Sequence, residues 1–416
     1  MSARPDIADS AVTPAPPFSR YQKFVIATLA FLQFAVILDF MLMAPLGALI
    51  MPALTIGPKE FGLVVSAYAF SAGAASFLTA GFADRFDRKR LLLFFYAGFV
   101  LGTLWCGLAQ SYESLLLARV VTGLFGGVIG SIVLAIATDL FPLAMRGRVM
   151  GMIQTAFAAS QVLGIPAGLY LSNRWDWHVP FIAMAALGLV GGAVVAWRLR
   201  PVADHLANAP ERSPWRHLLH TVAVPRHALA FATTALLTTG GFMLMPFSSA
   251  FAVNNLGIAM ADLPTVYLVT GLCTIFVGPL VGRAADAFGT FRVFTSGTAL
   301  SIMMVLLYTH LGPIPLTALI AVNAVMFVGI FSRMIPFQAI SSGVPAPSQR
   351  GAYNAVGASI QQLAGGVASV VAGHIVTLGA DGRLLHFDRI GYVVVGTSLV
   401  AFMLLRSLVR GGPAAG

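Results

Sequence analysis

The residue best placed to do chemistry is Asp39, which lies inside the first apolar stretch of the chain. This stretch, residues 24–50, reads FVIATLAFLQFAVILDFMLMAPLGALI and contains one acidic and no basic residue. A helix needs about 20 apolar residues to cross a bilayer, so the stretch is long enough to span one. A carboxylate near the middle of a bilayer costs on the order of 2.5–3.5 kcal/mol on insertion scales. We therefore treat Asp39 as a candidate functional residue.

The composition is typical of a polytopic membrane protein. Of the 416 residues, 58% are hydrophobic and 10% are charged, whereas about 25% of the residues in a soluble domain are charged. The net charge of +10 fits basic residues that collect in cytoplasmic loops, so we expect no nucleic-acid partner. The two cysteines lie in separate apolar runs, and we expect no disulfide framework, no metal site and no cofactor.

Twelve apolar runs recur along the chain, separated by short polar breaks. Runs of this length without alternation are helices, because only helices and closed barrels span bilayers. The predicted fold class is an all-α polytopic membrane protein with twelve transmembrane helices. The runs lie near residues 24–50, 61–82, 91–110, 114–137, 149–171, 179–199, 228–253, 264–283, 292–311, 315–340, 352–378 and 390–408.

Lysine and arginine residues predict how the spans are oriented. Residues 1–20 lack the basic segment and short apolar core of a cleaved signal peptide, so we expect the first span to stay in the membrane. With the N-terminus inside, most basic residues fall on the cytoplasmic side, as the positive-inside rule requires. We expect cytoplasmic termini in a bacterial-type inner (plasma) membrane. The opposite side holds Lys59, Arg174, Arg383 and Arg389.

The longest internal break, residues 200–226, divides the spans into two sets of six. Asp84 follows span two and Asp286 follows span eight, a separation of roughly 200 residues that is typical of a parallel internal repeat. The two sets are predicted to be pseudo-symmetric six-helix bundles. The predicted domains are a disordered cytoplasmic tail (1–20), an N-terminal bundle (21–199), a cytoplasmic linker (200–226), a C-terminal bundle (227–408) and a cytoplasmic tail (409–416).

The break after span two carries a charged motif, AGFADRFDRKR. Asp84, Arg85, Arg88 and Lys89 match the motif between helices two and three of the major facilitator superfamily, which the chain resembles over essentially its whole length after residue 20. The counterpart after span eight, GRAADAFG, contains Asp286. The resemblance implies that the Asp84 cluster is a conformational latch, whose charge-assisted bonds lock two helices in one state and release them in another. The alternative is that these charges only set the orientation of the spans in the membrane.

Two further motifs strengthen this resemblance. In span four, LLLARVVTGLFGG resembles the family motif built on an intramembrane arginine, here Arg119, followed by glycines that let helices approach closely. In span five, Gly164, Pro166 and Gly168 of QVLGIPAGLY resemble the antiporter motif of drug-exporting members, with one residue between the glycine and the proline. This variant is similar to the sugar- and drug-efflux branch of the 12-span drug:proton antiporter group. Proline and glycine together favour a helix kink here.

Asp39 and Arg119 are predicted to form a proton-coupling pair. The other acidic residues fall in tails, loops and span ends, so Asp39 alone lies deep in a span. Counted along the helices, Asp39 lies about 24 Å from Lys23 and Arg119 about 10 Å from the outer end of span four, which gives similar depths. The resemblance places both helices at the central cavity, where opening and closing would load and release a proton. A static ion pair is the alternative.

Arg333, in span ten, is the intramembrane charge of the second half. It suits an anionic or strongly polar substrate, or it bonds to carbonyls freed at Pro336; both interpretations stay open. Gln33 shares a helix with Asp39, where it either faces the cavity or bonds to a neighbouring helix. Met, Thr and amide side chains suit adaptable recognition of amphipathic molecules. The remaining candidate substrate-binding residues are Thr238, Met243, Asn354 and Gln361.

The predicted function is secondary active transport by alternating access, namely proton-coupled efflux (antiport) of small amphipathic or polar compounds. The expected partners are a small-molecule substrate, protons and the bilayer, and the chain is expected to be a monomer. The alternative with the same fold is a facilitator or proton symporter for a sugar, metabolite or lysophospholipid. A membrane enzyme is disfavoured because the spans contain no nucleophile, histidine pair or metal cluster, and a receptor because no long soluble domain is appended.

Overall fold

A computed structural model describes residues 17–79, 85–203, 206, 221–346 and 349–410 of the chain. Within these residues, 12 helices are long and apolar enough to cross a membrane, which confirms the predicted fold class. In chain order they are α1 (Arg20–Met43), α2 (Pro58–Thr79), α3 (Arg88–Cys106), α4 (Tyr112–Leu140), α5 (Met145–Arg174), α6 (Val179–Arg198), α7 (Pro225–Asn254), α8 (Met260–Phe288), α9 (Thr290–Thr309), α10 (Leu316–Ser342), α11 (Arg350–Ile375) and α12 (Phe387–Arg410).

Local sequence explains where several helices begin and end. Ser19 and Gln22 form a capping box at the start of α1, and the Asp87 side chain accepts a hydrogen bond from the Arg90 N–H at the start of α3. The first apolar run is divided after Met43, next to Pro45, and continues as a short helix, Gly47–Ala53. Proline offers no N–H for the helical ladder, so a break is expected there. A two-stranded antiparallel hairpin, Thr377–Leu378 with Leu384–Leu385, joins α11 to α12.

Alternating helix directions give the molecule two faces. We call the face formed by the connections after the odd-numbered helices the odd face, and the opposite one the even face. The largest buried hydrophobic cluster lies toward the odd face and draws on both halves of the chain, for example Leu46 and Phe61 with Phe247 and Phe387. Two further clusters are each confined to one half. The two bundles therefore share a core at the odd face.

Close backbone contacts seal the odd face between the bundles. A Cβ atom placed on Gly62 of α2 would lie 2.7 Å from the Ser369 carbonyl oxygen of α11, so only glycine fits at this spacing. The Ser249 hydroxyl of α7 donates to the Ala44 carbonyl at 3.2 Å, and the Asn173 amide of α5 donates to the Met260 carbonyl at 2.9 Å. The structure is thus closed at the odd face.

Helix α5 changes its contacts along its length. A π-helical turn, Ser160–Gly164, interrupts it, and the Ile165 N–H donates to the Ser160 carbonyl five residues back. The part of α5 beyond this turn, toward the odd face, packs against α8, whereas the part before the turn has little contact with α8. The two bundles consequently separate toward the even face on the α5–α8 side, whereas α2 and α11 stay in contact as far as Gly73 and Gln362.

The Gly62→Ala substitution tests the seal at the odd face. The added methyl group would meet the α11 backbone, which has no flexible end to move aside, so we expect the population to shift away from the closed odd face. Pulsed EPR distances between spin labels on Trp175→Cys and Ala259→Cys, which flank the seal, should lengthen. Gly278→Ala in α8, where a Cβ meets nothing within 4 Å, is the matched control. An unchanged distance distribution in Gly62→Ala would contradict this description of the seal.

Candidate functional site

The structure brings Asp39 and Arg119 into a direct ion pair. The Arg119 Nη1 atom lies 2.7 Å from Asp39 Oδ2, and the exposed fractions of the two side chains are 1% and 0%. Both charges are therefore removed from water and rely on each other. At this burial the desolvation cost of each ion is several kcal/mol, and only good geometry and further hydrogen bonds offset it.

Two neighbours, Thr103 and Tyr68, complete the surroundings of the pair. The Thr103 hydroxyl of α3 donates to Asp39 Oδ1 at 3.1 Å, so both carboxylate oxygens are engaged. The Tyr68 ring of α2 lies 4.6 Å from the guanidinium carbon of Arg119, a cation–π distance. Among the described residues the Arg119 Nε–H has no hydrogen-bond partner. Each carboxylate oxygen thus has a partner, while the guanidinium retains an unused donor.

Phe40 connects the ion pair to the opposite bundle. Its ring centroid lies 5.1 Å from that of Tyr68 and 5.7 Å from that of Phe242 in α7. Because Phe40 follows Asp39 directly in α1, any motion that separates α1 from α7 would pull on the turn that carries the carboxylate. The pair is therefore placed where the relative position of the two bundles can affect it.

Close packing of α4 on α2 holds Arg119 over Tyr68. A Cβ atom on Gly127 would lie 2.5 Å from the Ala72 Cα atom, and the Ser76 hydroxyl donates to the Gly127 carbonyl at 2.8 Å. The glycines of the LLLARVVTGLFGG motif therefore act as the packing devices that the sequence predicts. They fix the distance between the two helices that carry the guanidinium and its aromatic neighbour.

The Gly-x-Pro-x-Gly segment of α5 packs against the turns of α1 around Asp39. Cβ atoms on Gly164 and Gly168 would each lie 2.6 Å from a methyl carbon, that of Leu38 and that of Leu42 respectively. The Ser160 hydroxyl donates to the Phe34 carbonyl at 3.2 Å. A π-helical turn precedes Pro166, and such turns are frequent at functional sites. The kink at Gly164, Pro166 and Gly168 stays a prediction.

A cavity of about 340 Å³ lies between α7, α10 and α11, in the half of the molecule toward the even face. Its volume falls within the range of roughly 300–1,000 Å³ that is usual for small-molecule sites. The structure brings three of the predicted substrate-binding residues together in its lining: Thr238, Asn354 and Gln361. It adds Gln338, which sequence analysis missed, although an amide two residues after Pro336 in an apolar span was a detectable signal.

The other predicted substrate-binding residues lie outside this lining. Arg333 is 7% exposed, and its Nε and Nη2 atoms have no partner within the described chain. Met243 is fully buried in the hydrophobic cluster shared by the bundles. Gln33 is half-buried, its Oε1 atom without a partner among the described residues, next to Gly130 of α4. Their contact with a substrate stays a prediction.

The predicted latch comprises Asp84, Arg85, Arg88, Lys89 and Asp286. Asp84 lies outside the described residues. Arg88 Nε lies 3.2 Å from Asp139 Oδ2 at the end of α4, and Lys89 Nζ donates to the Ala196 carbonyl of α6 at 2.8 Å. Arg85 and Asp286 are exposed. The basic residues thus join helices of one bundle, and the latch stays a prediction.

Metal chemistry has no candidate site in the part of the chain that the structure describes. No group of three or more histidine, cysteine, aspartate or glutamate residues lies close enough to hold a metal ion. Cys106 and Cys273 are both free thiols.

Comparisons with known proteins agree with this architecture. Residues 29–369 match the family model described as Major Facilitator Superfamily. The chain is 27% identical to the uncharacterized MFS-type transporter YceJ of Bacillus subtilis over 91% of this chain and 93% of that protein. It is 28% identical to multidrug resistance protein 3 of B. subtilis over 42% of this chain and 33% of that protein. A crystal structure of a bacterial homologue of the human lysosomal transporter Spinster, inward-facing and unoccupied, superposes with a TM-score of 0.74 at 16% identity, covering 96% of this chain and 100% of that one.

Paired substitutions test whether the ion pair stabilises the fold as a unit. Arg119→Gln leaves a buried carboxylate without its partner, and such breakage costs about 3–5 kcal/mol. We expect a lower melting temperature for Arg119→Gln and a partial recovery in the double variant Asp39→Asn/Arg119→Gln. Arg383→Gln is the matched control, because Arg383 and Asp381 form an exposed pair, with side-chain exposures of 55% and 61%. Strictly additive effects of the two single changes would contradict the coupling.

Substitution of Gly127 tests the packing that positions Arg119. In Gly127→Ala the new methyl group would overlap the α2 backbone, so we expect α4 to move outward and the melting temperature in detergent to fall. Gly130→Ala on the same helix is the control, since its Cβ would lie 3.6 Å from Gln33, an ordinary contact. Alanine is favoured over glycine in a helix by about 1 kcal/mol, so the control should be neutral or stabilised. Equal melting temperatures for the two variants would refute this role of Gly127.

Proposed function

Since the chain belongs to the Major Facilitator Superfamily, we propose that it is a proton-coupled exporter of small amphipathic or polar compounds. Membership makes the chain a multi-pass membrane transporter of small molecules rather than an enzyme. The proposal adds the coupling ion, the direction and the location. The chain would lie in a bacterial-type inner membrane with both termini cytoplasmic, and would work as a monomer without a cofactor.

The buried Asp39–Arg119 pair carries this proposal. Protonation of Asp39 would neutralise the carboxylate, remove its attraction for the guanidinium and free Arg119 to find another partner. Such a change in pairing alters the relative free energies of two packed arrangements. Because Phe40 links the Asp39 turn to Phe242 of the other bundle, the protonation state of Asp39 would bias how the bundles rock.

The conformation with a closed odd face supports export if the distribution of basic residues gives the orientation of the chain in the membrane. The even face, where the basic residues collect, would be cytoplasmic. The polar cavity lies in the even half and the odd face is closed, so a compound would enter the cavity from the cytoplasm. Rocking would then close the even face, open the odd face and expose Asp39 to protons from outside. Proton entry and substrate exit would alternate through the same interface.

The name of one relative and one sequence motif support export. One relative is named a multidrug resistance protein, and the Gly164–Pro166–Gly168 segment resembles the motif of drug-exporting members. This segment packs on the helix that carries Asp39, which ties the motif to the proposed proton site. The Arg88 and Lys89 cluster at the even face would hold one of the alternating states together with Asp84.

A facilitator or proton symporter for a sugar, metabolite or lysophospholipid is the second candidate function. The observation that favours it is the same even-face cavity, because an importer releases its cargo from this conformation. The direction in which a proton gradient drives transport discriminates between the two. In a symporter, compound and proton move together, whereas in the exporter they move in opposite directions.

Transport by purified protein in liposomes tests the proton role of Asp39. With an acidic lumen, we expect transporters whose odd face lies inside to accumulate a compound from a panel of neutral, cationic and anionic fluorescent molecules, relative to empty liposomes. Asp39→Asn should abolish accumulation driven by the pH gradient while leaving exchange of the same compound without a gradient. Glu113→Gln, an exposed acid on the same helix as Arg119, is the matched control. Gradient-driven accumulation that survives Asp39→Asn would overturn the proposal.

A further inference from the structure

A second cavity lies outside the interface between the two bundles. It has a volume of about 490 Å³ and is lined by α8, α9 and α10, all of which belong to the C-terminal half; we call it the α8–α9 groove. Val281, Val293 and Ser332 in its lining are buried, whereas Leu280 and Phe288 of α8 are 60% and 68% exposed. Packed helices normally leave few voids larger than a water molecule. The groove is therefore space that another molecule can fill.

The α8–α9 groove opens toward the lipid. Among the described residues, α9 packs chiefly against α8, α10 and α12, so its remaining side faces away from the other bundle. Exposed residues recur on that side every three or four positions, which places them on one face of the helix. They are Arg292, Ser296, Ala299, Met303 and Leu307. Because the first two of them also line the groove, its opening lies on the lipid-facing side of the bundle.

The length of the groove matches one leaflet of a bilayer. Phe288 ends α8 at the even face, and Val277, at the other end of the lining, lies about 17 Å deeper at a rise of 1.5 Å per residue. Half of the hydrocarbon core of a bilayer is about 15 Å thick. Arg292 lies in the first turn of α9, which begins at Thr290, and is therefore at the headgroup end of the groove. An acyl chain that begins beside Arg292 would reach the middle of the membrane at Val277.

The charge of the groove selects the headgroup. Arg292 is the one charged side chain of the described lining, and it has no hydrogen bond or ion pair within the part of the chain that the structure describes. A guanidinium can donate two parallel hydrogen bonds to a phosphate, and basic sites between spans recognise anionic headgroups. No carboxylate belongs to the described lining, so a cationic headgroup would find no partner in it. The groove thus suits a phosphodiester whose headgroup carries no positive charge.

We propose that the α8–α9 groove binds an anionic phospholipid of the even-face leaflet, in chemical class a diacyl phosphatidylglycerol. One acyl chain lies along the groove from Phe288 to Val277, and the phosphodiester accepts hydrogen bonds from the Arg292 guanidinium. The lipid is a bound component of the C-terminal bundle and not transported cargo. Its binding requires neither a proton gradient nor Asp39, so the assignment is independent of the transport function proposed above.

Photolabelling of the purified full chain in lipid nanodiscs tests the assignment. The two probes are phosphatidylglycerol and phosphatidylcholine with the same diazirine at the end of one acyl chain, each at a low fraction in phosphatidylcholine nanodiscs. We expect the phosphatidylglycerol probe to label residues 277–281 about fivefold more than the phosphatidylcholine probe, the ratio expected for one arginine near an anionic lipid. Equal labelling by the two probes would show only unselected bilayer lipid and would overturn the assignment, as would an absence of label from these residues.

Two pairs of substitutions at exposed positions separate the charge from the groove. Arg292→Gln should reduce labelling by the phosphatidylglycerol probe to the level of the phosphatidylcholine probe. Arg406→Gln, which removes an exposed arginine of α12 outside the lining, should not. Ser296→Phe fills the groove and should reduce labelling by both probes, whereas Thr295→Phe, at the neighbouring exposed position outside the lining, should leave it unchanged.

The outcome of these pairs decides between a specific site and a general attraction. Selectivity that survives Arg292→Gln, or that Arg406→Gln reduces equally, would show that anionic lipid is attracted by the net charge of the even face and would refute the site. Labelling that survives Ser296→Phe would refute the groove as the position of the acyl chain. Melting temperatures in detergent confirm that each variant is folded before it is compared.

Discussion

A buried carboxylate must keep a partner, and this constraint governs the arrangement around Asp39. Its charge is stabilised by the Arg119 guanidinium and the Thr103 hydroxyl, each carried on a different helix. The same requirement makes the site responsive, because a proton on Asp39 would remove the reason for Arg119 to stay. Asp39 has partners when it is ionised, whereas a protonated Asp39 would leave Arg119 without its counter-charge. Proton uptake would therefore change how the helices pack.

Small residues hold the helices around Asp39 in close contact. Gly127 lets α4 rest on α2, and Gly164 and Gly168 let α5 rest on the Asp39 turns of α1. In a bilayer, helices gain little from the hydrophobic effect, so close backbone packing supplies much of the specificity. Gly62 repeats this device across the two bundles at the odd face. The closed face and the ion pair are therefore parts of one packed unit.

Sequence patterns predicted the fold and the ion pair but only part of the cavity. The lengths of the apolar runs predicted the twelve spans, because backbone polar groups in lipid must form their hydrogen bonds within helices. Counting residues along the helices predicted that Asp39 and Arg119 lie at similar depth, because each residue of a helix adds about 1.5 Å. It could not reveal that Met243 is buried or that Gln338 lines the cavity, because side-chain direction depends on how helices rotate against their neighbours. The role of Asp87 as the cap of α3 was likewise not predicted.

The central claim is that the protonation state of Asp39 sets the balance between the closed and open odd face. Pulsed EPR between labels at Trp175→Cys and Ala259→Cys, recorded in lipid nanodiscs across a range of pH, tests it most directly. With the native thiols removed by Cys106→Ser and Cys273→Ser, the distance distribution of the chain with Asp39 should shift with pH, and the Asp39→Asn variant should give one distribution at every pH. A pH-dependent shift that persists undiminished in Asp39→Asn would contradict the account.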